Sequence, residues 1–232
     1  MVRHWHPLRE VRVYDHSISA LIAVLKMSPN FYQKSEVLYK LGMIFAKTNQ
    51  LEQAISYFHN SILTNSFTQK RKVDTLLKIG LLYEEMRDFK KAEDFYEQAK
   101  NTDENSYKSY QHMAWCYFQQ NDINNASEQV KLAEKRNKGQ ADSFYILGRC
   151  SLQQENQKEA LEHFQQAAYK NPGEAIYWST IAILFYNSNN FTDAFDNIIK
   201  STTLNPQISE VWYNLGVLYE KCKQPEEALI AY

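Results

Sequence analysis

The sequence predicts an all-α solenoid of antiparallel helix pairs, and three observations support that fold class. Six alanines recur along the chain, the last five of them 34 residues apart and the first gap 38 residues long. A small residue stands twelve positions before each alanine, and a bulky aliphatic residue directly precedes each small one. A fixed period of this length is typical of a helical repeat array, in which each unit packs on its neighbours. The alanines are Ala54, Ala92, Ala126, Ala160, Ala194 and Ala228, and the small residues are Gly42, Gly80, Ala114, Gly148, Ala182 and Gly216.

The first helix of each predicted repeat is defined by apolar residues at helical spacing. In the last repeat they fall at i, i+3, i+4 and i+7, which places them on one face of a helix. A polar stretch, residues 221–224, ends that helix. Pro225 then suits the first turn of a second helix, where its missing N–H is not needed. The residues on the shared face are Trp212, Leu215, Gly216 and Tyr219.

The second helix of the same repeat carries Ala228 and Tyr232 four residues apart on its inward face. Gly216 and Ala228 are small, and we expect the two helices of the pair to cross where they lie. A larger side chain at the crossing would push the helix axes apart, at a cost of roughly 1–3 kcal/mol. Because the same scheme recurs six times, six helix pairs are predicted.

Three segments are predicted along the chain. Residues 1–15 are expected to be irregular or poorly ordered. Residues 16–34 are predicted to form the second helix of a partial repeat, with Leu21 and Pro29 at the expected spacing. Residues 35–232 form the array of six recognisable repeats, the last of them truncated. The repeats start near Ser35, Val73, Tyr107, Ala141, Ala175 and Ser209.

This pattern resembles the tetratricopeptide repeat (TPR), whose signature is Trp-x2-Leu-Gly-x2-Tyr followed by Ala, Phe, Ala and Pro. The stretch from Trp212 to Tyr219 carries the first part of the signature, and Pro172 and Pro206 stand at its closing position. The resemblance covers almost the whole chain from Ser35 onward. It implies a right-handed superhelix of antiparallel helix pairs that binds other proteins.

Two stretches show a closer resemblance to particular TPR families. Residues 209–216, Ser-Glu-Val-Trp-Tyr-Asn-Leu-Gly, resemble one repeat of the fungal general transcriptional corepressor of the Ssn/Cyc type. Residues 145–150, together with Cys222 followed by Gln224 and Pro225, resemble the TPR region of UTX-type histone lysine demethylases.

The corepressor resemblance implies a nuclear adaptor for transcription regulation on chromatin, which bridges DNA-bound repressors to a WD40 co-repressor. One alternative is the TPR region of a UTX-type histone demethylase whose catalytic domain lies outside this chain. Another alternative is a TPR scaffold of an unrelated complex. Each of these interpretations predicts a chain that works by binding proteins.

Composition excludes several other partners. The formal net charge is −1, which argues against nucleic acid or an anionic membrane as the main partner. No run of 18 apolar residues occurs, so no membrane span is predicted. Three cysteines, a sparse and odd count, suit a reducing intracellular compartment.

The sequence carries no recognisable catalytic constellation, and we predict neither an enzyme nor a cofactor or metal site. None of the six histidines belongs to a His-x-Asp or His-x-Glu pair, so the iron-binding triad of a jumonji demethylase is absent from this segment. His4 and His6 could bind a metal, but an irregular chain end is the preferred interpretation.

The concave groove is the predicted partner site, where we expect a peptide or a helical segment of another protein to bind. In TPR arrays the first helices line the groove with their second, fifth, ninth and twelfth repeat positions. Many of these residues are apolar here, and helix packing within a pair is not expected to use them, so they indicate a binding surface. The alternative is that flanking parts of the same protein cover the groove. The predicted groove residues are Tyr39, Leu77, Leu81, Trp115, Phe118, Tyr145, Arg149, Ile183, Tyr186 and Tyr213.

Overall fold

The computed structural model describes residues 6–28, 32–64 and 67–232, with side chains from residue 14 onward. Within these ranges the chain forms thirteen α-helices and no strand, which confirms the predicted all-α class. The helices are α1 (His6–Met27), α2 (Lys34–Lys47), α3 (Leu51–Leu63), α4 (Gln69–Glu85), α5 (Phe89–Thr102), α6 (Tyr107–Gln119), α7 (Ile123–Arg136), α8 (Ala141–Gln153), α9 (Gln157–Lys170), α10 (Ala175–Asn187), α11 (Phe191–Leu204), α12 (Ser209–Lys221) and α13 (Pro225–Ala231).

The chain folds as two compact units, residues 1–116 and 117–232, with the boundary inside α6. In the first unit α2 packs against α3 and α4 packs against α5. In the second unit the pairs are α8 with α9, α10 with α11, and α12 with α13. Each pair joins the first and second helix of one repeat.

The N-terminal helix is longer than the sequence pattern suggested. Residues 1–15 were expected to be irregular, but α1 begins at His6, and only residues 1–5 of that segment lie outside the described residues. Pro7 is compatible with this start because proline is tolerated in the first turn of a helix. Leu21 of α1 packs against the core of the first repeat. That α1 is the second helix of a preceding repeat stays a prediction. Pro29 lies outside the described residues.

The fourth helix also begins earlier than the repeat pattern indicates. α4 starts at Gln69, four residues before Val73. Thr68 caps this extension, since its hydroxyl accepts a hydrogen bond from the backbone N–H of Arg71 at 3.3 Å. The extension adds several basic residues to the first unit.

A left-handed residue closes the first helix of every repeat. At each of these turns one residue has a positive φ of 58–67°. The N–H of the next residue bonds to a carbonyl five residues back, at 2.9–3.0 Å. This is the Schellman arrangement, which satisfies the last carbonyls of a helix. The left-handed residues are Asn49, Arg87, Asn121, Glu155, Asn189 and Lys223.

The residue after the left-handed one caps the second helix in four repeats. Its side-chain oxygen accepts a hydrogen bond from the N–H three residues ahead, at 3.1–3.4 Å. The capping residues are Asp88, Asp122, Asn156 and Asn190. Polar pairs such as Asn189-Asn190 therefore combine two functions, a helix stop followed by a helix start.

The helix crossing depends on an aromatic ring that lies directly on a glycine. A Cβ atom added to Gly148 would stand 2.6 Å from Cε1 of Phe164, and one added to Gly42 would stand 2.7 Å from Cδ1 of Phe58. Gly80 and Gly216 face rings in the same way. Where the small residue is alanine, the second helix carries a smaller aliphatic side chain. The glycines pair with Phe58, Tyr96, Phe164 and Tyr232, whereas Ala114 and Ala182 correspond to Val130 and Ile198.

We predict that Gly148→Ala destabilises the second unit. Overpacking against Phe164 costs roughly 1–3 kcal/mol, which outweighs the gain of up to about 1 kcal/mol from the higher helix propensity of alanine. Adding Phe164→Ile should recover part of that loss, since the double variant copies the natural Ala182 and Ile198 pair. Urea unfolding of the two single variants and the double variant measures the coupling. Strictly additive losses would show that the ring and the glycine do not constrain each other.

We also predict that Glu155→Gly stabilises the chain. A left-handed backbone costs a non-glycine residue roughly 1–2 kcal/mol, and the greater unfolded-state freedom of glycine removes part of the gain. A net increase of roughly 0.5–1 kcal/mol in the free energy of unfolding is expected. Asn189→Gly is the matched control and should gain less, because asparagine tolerates this conformation. Equal effects at both positions would contradict the prediction.

Candidate functional site

The predicted groove residues fall into three classes of exposure. Leu81, Ile183 and Tyr213 are exposed, at 40%, 41% and 61%. Four more are partly exposed, namely Trp115, Phe118, Arg149 and Tyr186. The remaining three are buried, namely Tyr39, Leu77 and Tyr145. The binding role of the whole set stays a prediction, but the three buried residues require a different account from the others.

The buried tyrosines at the fifth repeat position take part in helix packing. The Tyr39 ring lies 5.5 Å from the ring of Phe58, and the Tyr145 ring lies 5.5 Å from that of Phe164. In both repeats the tyrosine of the first helix therefore covers the aromatic residue that lies on the glycine. The expectation that helix packing leaves this position free does not hold here, because the aromatic residue of the second helix needs a neighbour.

Hydrogen bonds connect the first helices of neighbouring repeats. In the first unit the Tyr39 hydroxyl donates to the Asp74 carboxylate at 2.8 Å, and the Arg71 guanidinium donates to both carboxylate oxygens of Glu36 at 2.7 and 2.9 Å. In the second unit the Tyr177 hydroxyl donates to Asp142 at 2.7 Å. These bonds hold α2 beside α4, and α8 beside α10.

The environment of these phenols keeps them protonated. Burial, reinforced by the hydrogen bond to Asp74, raises the pKa of Tyr39 above its usual range. Burial and the hydrogen bond to Asp142 raise the pKa of Tyr177 in the same way. Each hydroxyl therefore stays a donor even at alkaline pH, and each paired carboxylate is hydrogen-bonded within the protein.

Arg149 is held beside the aromatic groups of its own unit. Its Nη1 donates to the Tyr145 hydroxyl at 3.3 Å, and its guanidinium lies 5.3 Å from the centre of the Phe118 ring. A guanidinium over an aromatic face is attracted by the ring quadrupole. Three of the predicted groove residues, Phe118, Tyr145 and Arg149, thus form one cluster within the second unit.

A cavity of about 180 Å³ lies between α10 and α12 in the second unit. It brings together two of the predicted residues, Ile183 and Tyr186, and the neighbouring Val217. Its lining is mainly apolar, with two amide side chains. The lining residues are Ala182, Ile183, Tyr186, Asn187, Ile198, Asn214, Val217 and Leu218.

The two asparagines give this cavity its chemistry. An asparagine amide offers a carbonyl acceptor and two N–H donors, which match the carbonyl and N–H of a peptide backbone. Sequence reasoning missed Asn187 and Asn214, because it considered only the second, fifth, ninth and twelfth repeat positions. The two asparagines stand at the thirteenth and sixth positions of their repeats, next to those considered.

The described residues reveal no other site chemistry of the kinds considered. Among them, no three His, Cys, Asp or Glu side chains are grouped as metal ligands would be. None of the described helices has both the length and the apolar content needed to cross a bilayer.

Comparison with known sequences places the chain among TPR proteins. Residues 85–167 match the family described as Anaphase-promoting complex, cyclosome, subunit 3. Residues 36–62 and 199–230 each match a tetratricopeptide-repeat family. Anaphase-promoting complex subunit 3 of Schizosaccharomyces pombe is 30% identical over 103 residues, which make up 44% of this chain and 14% of that relative.

Solved structures show the same fold. A tetratricopeptide repeat protein from Parabacteroides merdae superposes with a TM-score of 0.73 and 15% identity, over 97% of this chain and 87% of that one. The APC/C hetero-tetramer Cut9-Hcn1 gives a TM-score of 0.72 and 15% identity, over 99% of this chain and 45% of that one. Together with the family matches, these similarities confirm the predicted TPR fold.

The burial of Tyr145 predicts that two groove substitutions differ in their effect on stability. Tyr145→Ala removes a buried ring that contacts Phe164 and Tyr177, and should cost roughly 3–5 kcal/mol. Ile183→Ala, in the same unit but 41% exposed, should cost about 1 kcal/mol or less. Chemical unfolding of both variants tests this difference. Similar losses would mean that the exposed face of α10 is as structural as the buried one.

Proposed function

We propose that this TPR chain is a non-catalytic protein-interaction scaffold that holds a segment of a partner protein on its first helices. The cavity between α10 and α12 is the observation that supports the proposal most directly. It combines an apolar lining with two amide side chains, and Ile183 at its edge is exposed. The TPR fold itself supports a protein-binding role.

The size of the cavity favours a peptide side chain over a small-molecule ligand. Sites for drug-sized ligands usually measure roughly 300–1,000 Å³, which is more than the cavity of about 180 Å³ seen here. An apolar side chain of a partner would enter between Ile183 and Val217. Asn187 and Asn214 would then bind the adjacent peptide backbone.

The complex that contains the scaffold is a second question. The similarity of residues 85–167 to subunit 3 of the anaphase-promoting complex favours an adaptor of that type, in a large multi-subunit assembly. The corepressor-type adaptor, with DNA-bound repressors and a WD40 co-repressor as partners and a nuclear location, is the second candidate. It has the support of the resemblance of residues 209–216, and the comparisons do not add to it. The UTX-type demethylase interpretation has no better support.

We predict that Ile183→Asp weakens partner binding at least tenfold while the fold is retained. The substitution places a charge at the edge of an apolar cavity, where a buried partner side chain cannot compensate it. Ile199→Asp on α11 is the matched control, because Ile199 is 48% exposed in the same unit and does not line the cavity. Affinity capture from native cells, quantified by mass spectrometry, measures the loss.

The captured proteins also identify the complex. Recovery of anaphase-promoting-complex subunits would support the first candidate, whereas a WD40 protein with DNA-bound repressors would support the second. If Ile183→Asp and Ile199→Asp reduce capture equally, or if neither does, the cavity is not the binding site and the proposal fails.

A further inference from the structure

The first helices of the first unit are basic, unlike those of the second unit. α2, α4 and residues 107–116 of α6 carry eight Lys or Arg against four Asp or Glu, a net charge of +4. In α8, α10 and α12 two basic residues stand against three acidic ones, a net charge of −1. The basic excess thus lies on one part of a chain whose formal net charge is −1.

The basic residues of this unit stand beside apolar ones at helical spacing. Along α2, Glu36, Lys40 and Met43 fall at i, i+4 and i+7, on one face of the helix. Along α4, Asp74, Lys78 and Leu81 repeat this order. The bonds from Tyr39 to Asp74 and from Arg71 to Glu36 join the two helices along this face.

The next first helix keeps this spacing but not the order of charges. In α6, Lys108, His112 and Trp115 have the same spacing. Lys108 is exposed, and Trp115 is partly exposed. We call the surface formed by Lys40, Lys78, Met43 and Leu81 the lysine–apolar face.

Among the described residues, the acidic side chains of this face form no ion pair with its lysines. Glu36 is held by Arg71 at 2.7 Å, and the Asp74 carboxylate accepts the Tyr39 hydroxyl. Hydrogen bonding to Glu36 also raises the pKa of the Arg71 guanidinium, as expected for an ion pair. Lys40 and Lys78, by contrast, have no ion-pair partner among the residues that the structure describes. Both lysine ammonium groups are therefore open to carboxylates of a partner, and they lie on the same helix faces as Met43 and the 40% exposed Leu81.

We infer that the lysine–apolar face binds an acidic, amphipathic segment of a partner protein, in which Asp or Glu side chains alternate with large apolar ones. The carboxylates would meet Lys40 and Lys78, and the apolar side chains would cover Leu81 and Met43. This inference adds a partner chemistry to the proposed scaffold function. It concerns the first unit and does not depend on the α10–α12 cavity.

The apolar residues of the lysine–apolar face, Met43 and Leu81, favour a peptide over nucleic acid as the ligand. A phosphate backbone would use the lysines but would leave Leu81 and the exposed part of Met43 in contact with water. Nonspecific nucleic-acid binding is supplied by Lys and Arg contacts to phosphates, and this face offers only two lysines outside ion pairs. An acidic peptide with apolar residues can contact both the lysines and the apolar side chains of this face.

Fluorescence anisotropy with three synthetic peptides tests the inference on the whole chain. The first peptide alternates Glu with Leu, the second carries Gln in place of Glu, and the third carries Lys in place of Glu. The first should bind at least tenfold more tightly than the others, and this preference should shrink at about 0.5 M NaCl, where exposed charges are screened. Lys40→Gln combined with Lys78→Gln should weaken its binding roughly tenfold.

Lys131→Gln combined with Lys158→Gln is the matched control, because it removes the same charge from exposed positions on α7 and α9. That variant should bind the acidic peptide as the parent chain does. Equal losses in both double variants, or equal binding of the Glu and Gln peptides, would overturn the inference. Tighter binding of a single-stranded oligonucleotide than of the acidic peptide would also overturn it. The lysine substitutions lie in the first unit and the cavity substitution in the second, and they are read out with different ligands, so a failure here is distinguishable from a failure of the cavity proposal.

Discussion

The close contact between a glycine of the first helix and an aromatic ring of the second is the constraint on which the packing of four of the six repeats depends. It sets how near the two helix axes come, because no Cβ fits under Phe58 or Phe164. The ring then needs cover on its other side, and the fifth-position tyrosine of the first helix supplies it. That tyrosine is thereby fixed in place, and in the first unit its hydroxyl reaches the next first helix. In the first unit, the close contact between glycine and ring thus also fixes the tyrosine that bonds to the next helix pair.

This chain of contacts separates structural positions from positions free to bind. Tyr39 and Tyr145 at the fifth position serve the packing. At the ninth position Leu81 and Ile183 are exposed, whereas the other four residues are partly buried. We therefore expect the residues that select a partner to lie at the ninth position and beside it, where the two units differ in charge and in polarity.

The period of 34 residues was enough to predict the helix pairs, because identical packing requires small residues at identical spacing. It was not enough for the start of α1, which lies outside the period and follows from Pro7 in a first turn. Periodicity also could not separate the buried Tyr145 from the exposed Tyr213. Both occupy the same repeat position, and only the neighbouring side chains decide their exposure. Asn187 and Asn214 were missed for a similar reason. The cavity that they line is formed by residues of two neighbouring repeats, and the sequence pattern of a single repeat does not reveal which residues of the two repeats meet.

The residue pair at the helix crossing changes from one repeat to the next, and this change affects which helices can pair during folding. Tandem repeats of similar sequence can pair out of order, the characteristic error of repetitive chains. In the second unit the middle repeat joins Ala182 to Ile198, whereas its neighbours join glycine to an aromatic ring. If α10 paired with α9, the methyl group of Ala182 would collide with Phe164. The difference in crossing residues thus disfavours pairing of α10 with the second helix of either neighbouring repeat.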